Sequence, residues 1–169
     1  MYSIYPARLC EADIRLLGGV GMKLVADLES DNLYHGATKI WCGVFKCTET
    51  LKVWKFTNKE KMFALMDMSK VLIMHNGIGF DKPLMKKIWG YEYKGRVIDT
   101  VLLSRELYKN VPVPEQMKLD YAEKGKKLDG PHSLAAWGYR LGRGKVEHED
   151  WSVYSDAMMH RCVEDVEIT

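Results

Sequence analysis

Asp27-x-Glu29 closes an apolar run, Asp81 stands just behind a second one, and Asp165 lies near the end of the 169-residue sequence. Residues two apart on a strand point to one face, so Asp27 and Glu29 would project together with Leu28 buried opposite. A fold that gathers all four carboxylates onto one point must offset their mutual repulsion with cations. Two Mg2+ or Mn2+ ions suit the task, because these hard cations take oxygen ligands and bind phosphate. The chemistry within reach is metal-assisted hydrolysis of a phosphodiester. Taken singly, the first three acids have ordinary alternatives: Asp27 and Glu29 a solvated strand end, Asp81 with Pro83 two positions later a helix N-terminus.

The elements that must position these acids can be read from apolar periodicity. KLVADLE, from Met22 onward, is expected to be a buried strand. KIWCGVFKC (39–47) and LKVWKF (51–56) alternate apolar and polar positions around a Thr48-Glu49-Thr50 turn, which predicts an antiparallel hairpin and a three-strand meander. Asn58 is placed to cap a helix running to about Met68, and VLIMHNG (71–77) reads as a fourth, buried strand. In HNGIGFD, His75 and Asn76 should fall at its terminus, with Gly77 and Gly79 turning the chain so that Asp81 enters a helix ending near Trp89. RVIDT is a short fifth strand ending at Asp99, and VLLSRELYK is helical in pattern. A meander followed by alternating helices and strands is the order of an α/β mixed sheet flanked by helices. Ligands of such sheets gather where strand ends face a crevice, and Glu29, Asp81 and Asp99 all stand at or just past strand ends.

The later half is expected to be helical or looped. Residues 106–130, rich in Lys and containing Val111-Pro112-Val113-Pro114, read as a surface excursion. In YSDAMMHRCVEDVEIT, Ser155 is a plausible N-cap, and Met158, Met159, Cys162, Val163 and Val166 supply the buried stripe of a helix that carries Asp165. The methionines are read as core and Glu164 and Glu167 as solvated. His132, ahead of the apolar helix SLAAWGYRLG, is expected to be structural. Arg140, Arg143 and Lys145 form a basic cluster that either meets phosphate or is a solvated helix end. Asp99 either caps the following helix or supports the acid site from behind.

Composition sets limits on all this. A chain with 47% hydrophobic and 28% charged residues can bury one core, so a single globular domain is expected. No apolar stretch approaches the ~20 residues of a membrane span, and the N-terminus lacks a basic segment followed by an apolar one, so a cytoplasmic setting is the expectation. Cys10, Cys42, Cys47 and Cys162 form no C-x-x-C pair, which suits reduced thiols in a core and argues against zinc. A net charge of +2 is too mild to grip a polyanion in bulk, leaving that work to local patches and metal. Gly18-Gly19-Val20-Gly21 precedes the first strand instead of following one, so it reads as a linker and not a phosphate loop.

KLVADLES, VLIMHNGIGFDKP, RVIDTVLLSREL, GPHSLAAWGYRLG and MMHRCVEDVEIT, in this order, resemble the proofreading exonuclease domain of podophage family-A DNA polymerases, within the DnaQ-like, ribonuclease H-like group. The resemblance covers residues 22–169 and leaves 1–21 as an extension of unknown role. It implies a five-stranded mixed sheet, 3'-to-5' release of nucleoside 5'-monophosphates from single-stranded or frayed DNA, and association with a DNA polymerase domain or subunit. It also implies that Asp27, Glu29, Asp81 and Asp165 are the metal ligands. One metal, held mainly by Asp27 and Asp165, would activate a water that Glu29 orients; a second, bridged by Asp27 with Asp81 nearby, would stabilise the leaving 3' oxygen.

The last segment departs from the podophage pattern. Related enzymes place a tyrosine four residues before the final aspartate or a histidine five before it; here those positions hold Arg161 and His160. The likeness to the histidine kind implies His160 as general base, since an ordinary histidine titrates near pKa ~6.5. On a continuous helix, however, a five-residue spacing leaves side chains roughly 140° apart and a four-residue spacing only about 40°. His160 therefore reaches the site only if the helix starts late or distorts; otherwise Arg161 is better placed, as a fixed cation near the scissile phosphate. Leu33 matches the position where related exonucleases wedge an apolar side chain between terminal bases, and Asn76 is counted with it and Arg161 as a substrate contact. Two other readings stay open: a stand-alone exonuclease acting on RNA or single-stranded DNA, and a non-catalytic module that binds nucleic acid or a polymerase.

Overall fold

The computed structural model describes residues 21–143, 148 and 150–169. The proposed extension at 1–21, apart from Gly21, and Lys145 of the basic cluster lie outside the described residues. Five strands form one sheet in the order β3-β2-β1-β4-β5, where β1 is Met22–Ser30, β2 Ile40–Cys47, β3 Val53–Phe56, β4 Ser69–Met74 and β5 Arg96–Asp99. The first three are antiparallel neighbours, while β4 runs parallel to both β1 and β5, so the sheet is mixed and β1 lies at its centre. The described helices are α1 Lys59–Met68, α2 Asp81–Trp89, α3 Thr100–Leu107, α4 Glu115–Glu123, α5 Leu134–Arg140 and α6 Asp156–Ile168. The expected α/β architecture, a five-stranded mixed sheet flanked by helices, is present.

Alternation along β1 divides the molecule into layers. Leu24, Ala26 and Leu28 point into a core shared with Met62, Leu65 and Met66 of α1 and Leu84 and Met85 of α2. On the other face, Val25 packs with Cys42 and Val44 of β2 beneath Met158, Cys162 and Val166 of α6. Leu28 sits against Gly43, its partner on β2, where an added Cβ would come within 2.6 Å of Leu28 Cδ2. That missing side chain lets Leu28 seat fully on one face, which commits Asp27 and Glu29 to the other.

Helix boundaries follow local capping chemistry. The Asn58 side chain accepts from Lys61 N at 2.9 Å to start α1, and the Ser133 and Ser155 hydroxyls accept from Ala136 N and Met158 N at 3.1 Å to start α5 and α6. Gly90 ends α2 with φ of 65°, the left-handed conformation that costs glycine least. Strand β4 begins at Ser69, two residues before the expected start, because α1 runs directly into it; the Ser69 hydroxyl donates to Met66 O at 2.7 Å across the join. The surface excursion contains a helix, α4, that periodicity does not announce: Met117 is its one buried residue, so no apolar stripe repeats.

Candidate active site

Four carboxylates from three elements line one pocket. Asp27 and Glu29 come from β1, Asp81 from the first turn of α2 and Asp165 from the third turn of α6; His75, Asn76, Arg105 and His132 stand around them. The register of β1 against β2 shifts between Glu29 and Ser30, so the strand bends away immediately beyond the acids. Asp81, Glu29 and Asp165 are 3%, 8% and 4% exposed, an unusual degree of burial for acids and one that demands compensation.

Asp81 is held by a clamp on the preceding turn. Asn76, two residues past the end of β4, adopts a left-handed φ of 65°, and its backbone N–H donates to Asp99 Oδ1 at 3.1 Å. Ile78 N donates to Asp99 Oδ2 at 3.0 Å, and Val101 N to Oδ1 at 3.0 Å. The buried Asp99 thus caps α3 and ties down the 76–80 turn at once, combining the two roles the sequence left open. Burial pushes the Asp81 carboxyl up to about 7; its own backbone N–H and that of Leu28 pull the other way, and the nearby Asp99 adds to the rise. Asp81 Oδ1 is buried and has no hydrogen-bond partner among the described residues.

Helix α6 lies across β1 and β2 and brings Asp165 down within its own apolar stripe, between Cys162 and Val166. The Cys162 thiol donates to the Asp27 carbonyl oxygen at 3.3 Å, fastening the helix to the strand beside the acids. One turn before Asp165, Arg161 Nε lies 3.6 Å from Asp165 Oδ2 and 3.4 Å from Glu29 Oε1. Its guanidinium stacks over the Trp151 ring at 4.8 Å. His160 does not join this group. The helix is continuous from its Ser155 cap, so His160 is already a turn inside it and emerges on the exposed face, outside the acid pocket. The expectation of His160 as base is corrected by that geometry: the helix neither starts late nor distorts.

Desolvation, followed by the charges of Glu29, Asp81 and Asp165, holds the Asp27 carboxyl well above the usual range. Such a cluster fits a divalent cation. Asp27, Glu29 and Cys162 each offer an atom within 4.8 Å of the others, but burial, contact with Cys42 and the charge of Asp27 keep the Cys162 thiol protonated, so the available donors are oxygens. Oxygen donors and the orphaned Asp81 Oδ1 match Mg2+ or Mn2+ better than a thiolate-seeking metal.

A second cleft opens beside Glu29, lined by Asp31, Asn32, Leu33, Phe80, Trp151 and Arg161. Leu33 is 77% exposed at its edge, on a loop braced by Asp31, whose carboxylate accepts from Thr38 N at 2.9 Å and Lys39 N at 3.1 Å. Phe80 and Trp151 carried no readable signal, since their proximity exists only once α2 and α6 dock. His132 is both structural and adjacent to the acids: its Nδ1 lies 2.7 Å from Ser104 Oγ, which also accepts from Trp137 Nε1 at 3.0 Å. The two described members of the basic cluster are engaged within the molecule. Arg140 donates to Pro131 O at 2.8 Å and Pro112 O at 2.7 Å, and Arg143 faces Glu164 and Glu167 at 3.6 and 3.8 Å.

This sheet and its acid-lined edge define a DnaQ-like exonuclease fold of the ribonuclease H-like class. The chain is homologous to the DNA-directed DNA polymerase of Escherichia phage T7, with 26% identity over 86% of its length, and spans about a quarter (25%) of that relative. No protein-family model matches it. Among solved structures, the catalytic core of RRP6 from Trypanosoma brucei is similar with a TM-score of 0.58 at 17% identity, covering 92% of this chain and 40% of that one. The family B DNA polymerase of Pyrobaculum calidifontis is similar with a TM-score of 0.56 at 14% identity, covering 87% of this chain and 23% of that one.

Proposed function

We propose that residues 22–169 are a metal-dependent 3'-to-5' exonuclease domain that hydrolyses single-stranded or frayed DNA, releases nucleoside 5'-monophosphates, and proofreads for a phage-type DNA polymerase. The observation that carries the reading is the convergence of Asp27, Glu29, Asp81 and Asp165 on one pocket, with an orphaned carboxylate oxygen, beside a cleft with an aromatic wall. Homology to a phage polymerase supports the DNA substrate and the partner.

The four acids would hold two Mg2+ or Mn2+ ions, which supply charge stabilisation at the phosphate and a water of lowered pKa. Glu29, at the bend of β1, orients the attacking water. Asn76, presented in a left-handed turn at the pocket rim, contacts the substrate backbone. The cleft, with a volume of about 470 Å3, falls in the small-ligand range of roughly 300–1,000 Å3 and takes the terminal nucleotide. Its base stacks on Phe80, with Leu33 wedged against the next base. Arg161 meets the scissile phosphate from the cleft side.

The test is digestion of 5'-labelled DNA and RNA oligonucleotides of matched sequence with Mn2+. A ladder shortening from the 3' end, faster on DNA, with mononucleotide products is expected. Faster digestion of RNA would favour a stand-alone ribonuclease, and binding without cleavage a recognition module. In the same assay His160→Ala should stay within about twofold of wild type, because its side chain faces away from the acids; a loss above tenfold would return it to the mechanism.

A further inference from the structure

We propose that Arg161 is an internal cation that guards the acid centre: in the metal-free protein its guanidinium neutralises Glu29 and Asp165, and an entering divalent cation must push it off these carboxylates into the cleft whose wall includes Trp151. The inference rests on the metal-centre reading above and concerns what that centre does before it is loaded. Arg161 sits at 3.4 Å from Glu29 Oε1 and 3.6 Å from Asp165 Oδ2, bridging a strand acid and a helix acid that are both assigned to the metal. Four acids gathered at one point repel severely unless positive charge offsets them, and the Arg161 side chain, 17% exposed, supplies such charge to two of them.

The contact is also built to be released. Arg161 Nε is buried yet makes no hydrogen bond among the described residues, so it meets the carboxylates as a charge and not through a tight fork. Its guanidinium already rests against the Trp151 ring, 4.8 Å from the centroid, on the wall of the nucleotide cleft. A metal ion entering between Glu29 and Asp165 takes over their charge, and the stacked guanidinium has a short path into that cleft. There an incoming phosphate offers it a new anionic partner. Metal uptake and nucleotide capture are coupled through one side chain.

Mn2+ titration calorimetry and thermal unfolding of wild type, Arg161→Gln and Arg161→Lys provide the test. Arg161→Gln should bind Mn2+ at least about tenfold more tightly than wild type, because a positive charge a few ångströms from the ion is gone. Its metal-free form should melt lower than wild type, with the deficit closed when Mn2+ is added. Arg161→Lys, which keeps the charge but loses the planar stack on Trp151, should fall between the two in affinity. Equal Mn2+ affinity in wild type and either folded variant would overturn the guard while leaving the metal centre standing. Failure of every form to bind Mn2+ would overturn both.

Discussion

Replacing Asp27 by Asn should lower metal-dependent hydrolysis by at least about a thousandfold while raising the melting temperature of the metal-free protein. The two effects have one cause. Asp27 stands at the centre of the cluster, two residues from Glu29 and facing Asp81 and Asp165, so its ionised form is opposed by burial and by three other acids. At a pH where Asp27 is ionised, asparagine keeps the shape and removes the charge, relieving the cluster; about 2 to 4 °C is expected for each kcal/mol relieved in a chain of this size. On the proposed mechanism the same change would also remove a carboxylate that would hold the metals, and losing several kcal/mol of charge stabilisation at the phosphate would translate into three or more decades of rate. Single-turnover digestion and differential scanning calorimetry on one preparation check both. A variant that is inactive but less stable than wild type would mean that Asp27 holds the fold together instead of being tolerated by it.

The second large effect is linked to pH. Asp81 titrates at about 7 in the folded protein, whereas an aspartate in the unfolded chain titrates near 3.9, so the native state retains the additional proton between those values. This contribution to stability is fully present below the unfolded value and is lost as pH rises through about 7; Asp27, also raised, acts in the same direction. On this account the metal-free protein weakens from pH 5 to pH 8, and a divalent cation does at pH 8 what a proton does at pH 5. Mn2+ at roughly a hundred times its dissociation constant should therefore raise Tm by roughly 5 to 10 °C at pH 8 and by far less at pH 5. Scanning calorimetry with Mn2+ and with chelator at both pH values reads the difference; an equal shift at both would remove the acids from the account.

What could be read in advance divides along the range of the interactions involved. The β1–β3 meander, α1 behind its Asn58 cap and α6 behind its Ser155 cap all rest on chemistry within a few residues, and each stands where its pattern put it. The four acids were legible because each sits where local structure forces it: two on one face of a strand, one at a helix start and one inside an apolar stripe. The rest depended on contacts across the chain. Arg161 touches Glu29 only because α6 crosses β1, and Trp151 stacks on it from a segment with no periodic signal. The family pattern pointed to His160, and helical phase overruled it. Helix α4 went unread because a helix exposed on nearly every side has no stripe to count.

The docking of α6 on β1 has a consequence for how the molecule comes into being. During synthesis the ribosome delivers Asp27, Glu29 and Asp81 well before Asp165, and the sheet's own pairings can form while the last helix is still in the tunnel. Such distant contacts are slow to make, because closing the long loop between them costs entropy before any contact repays it. The pocket is thus among the last features to mature, and a half-made chain holds an incomplete set of acids. Under the proposed function, hydrolysis would have to wait until α6 has docked on β1.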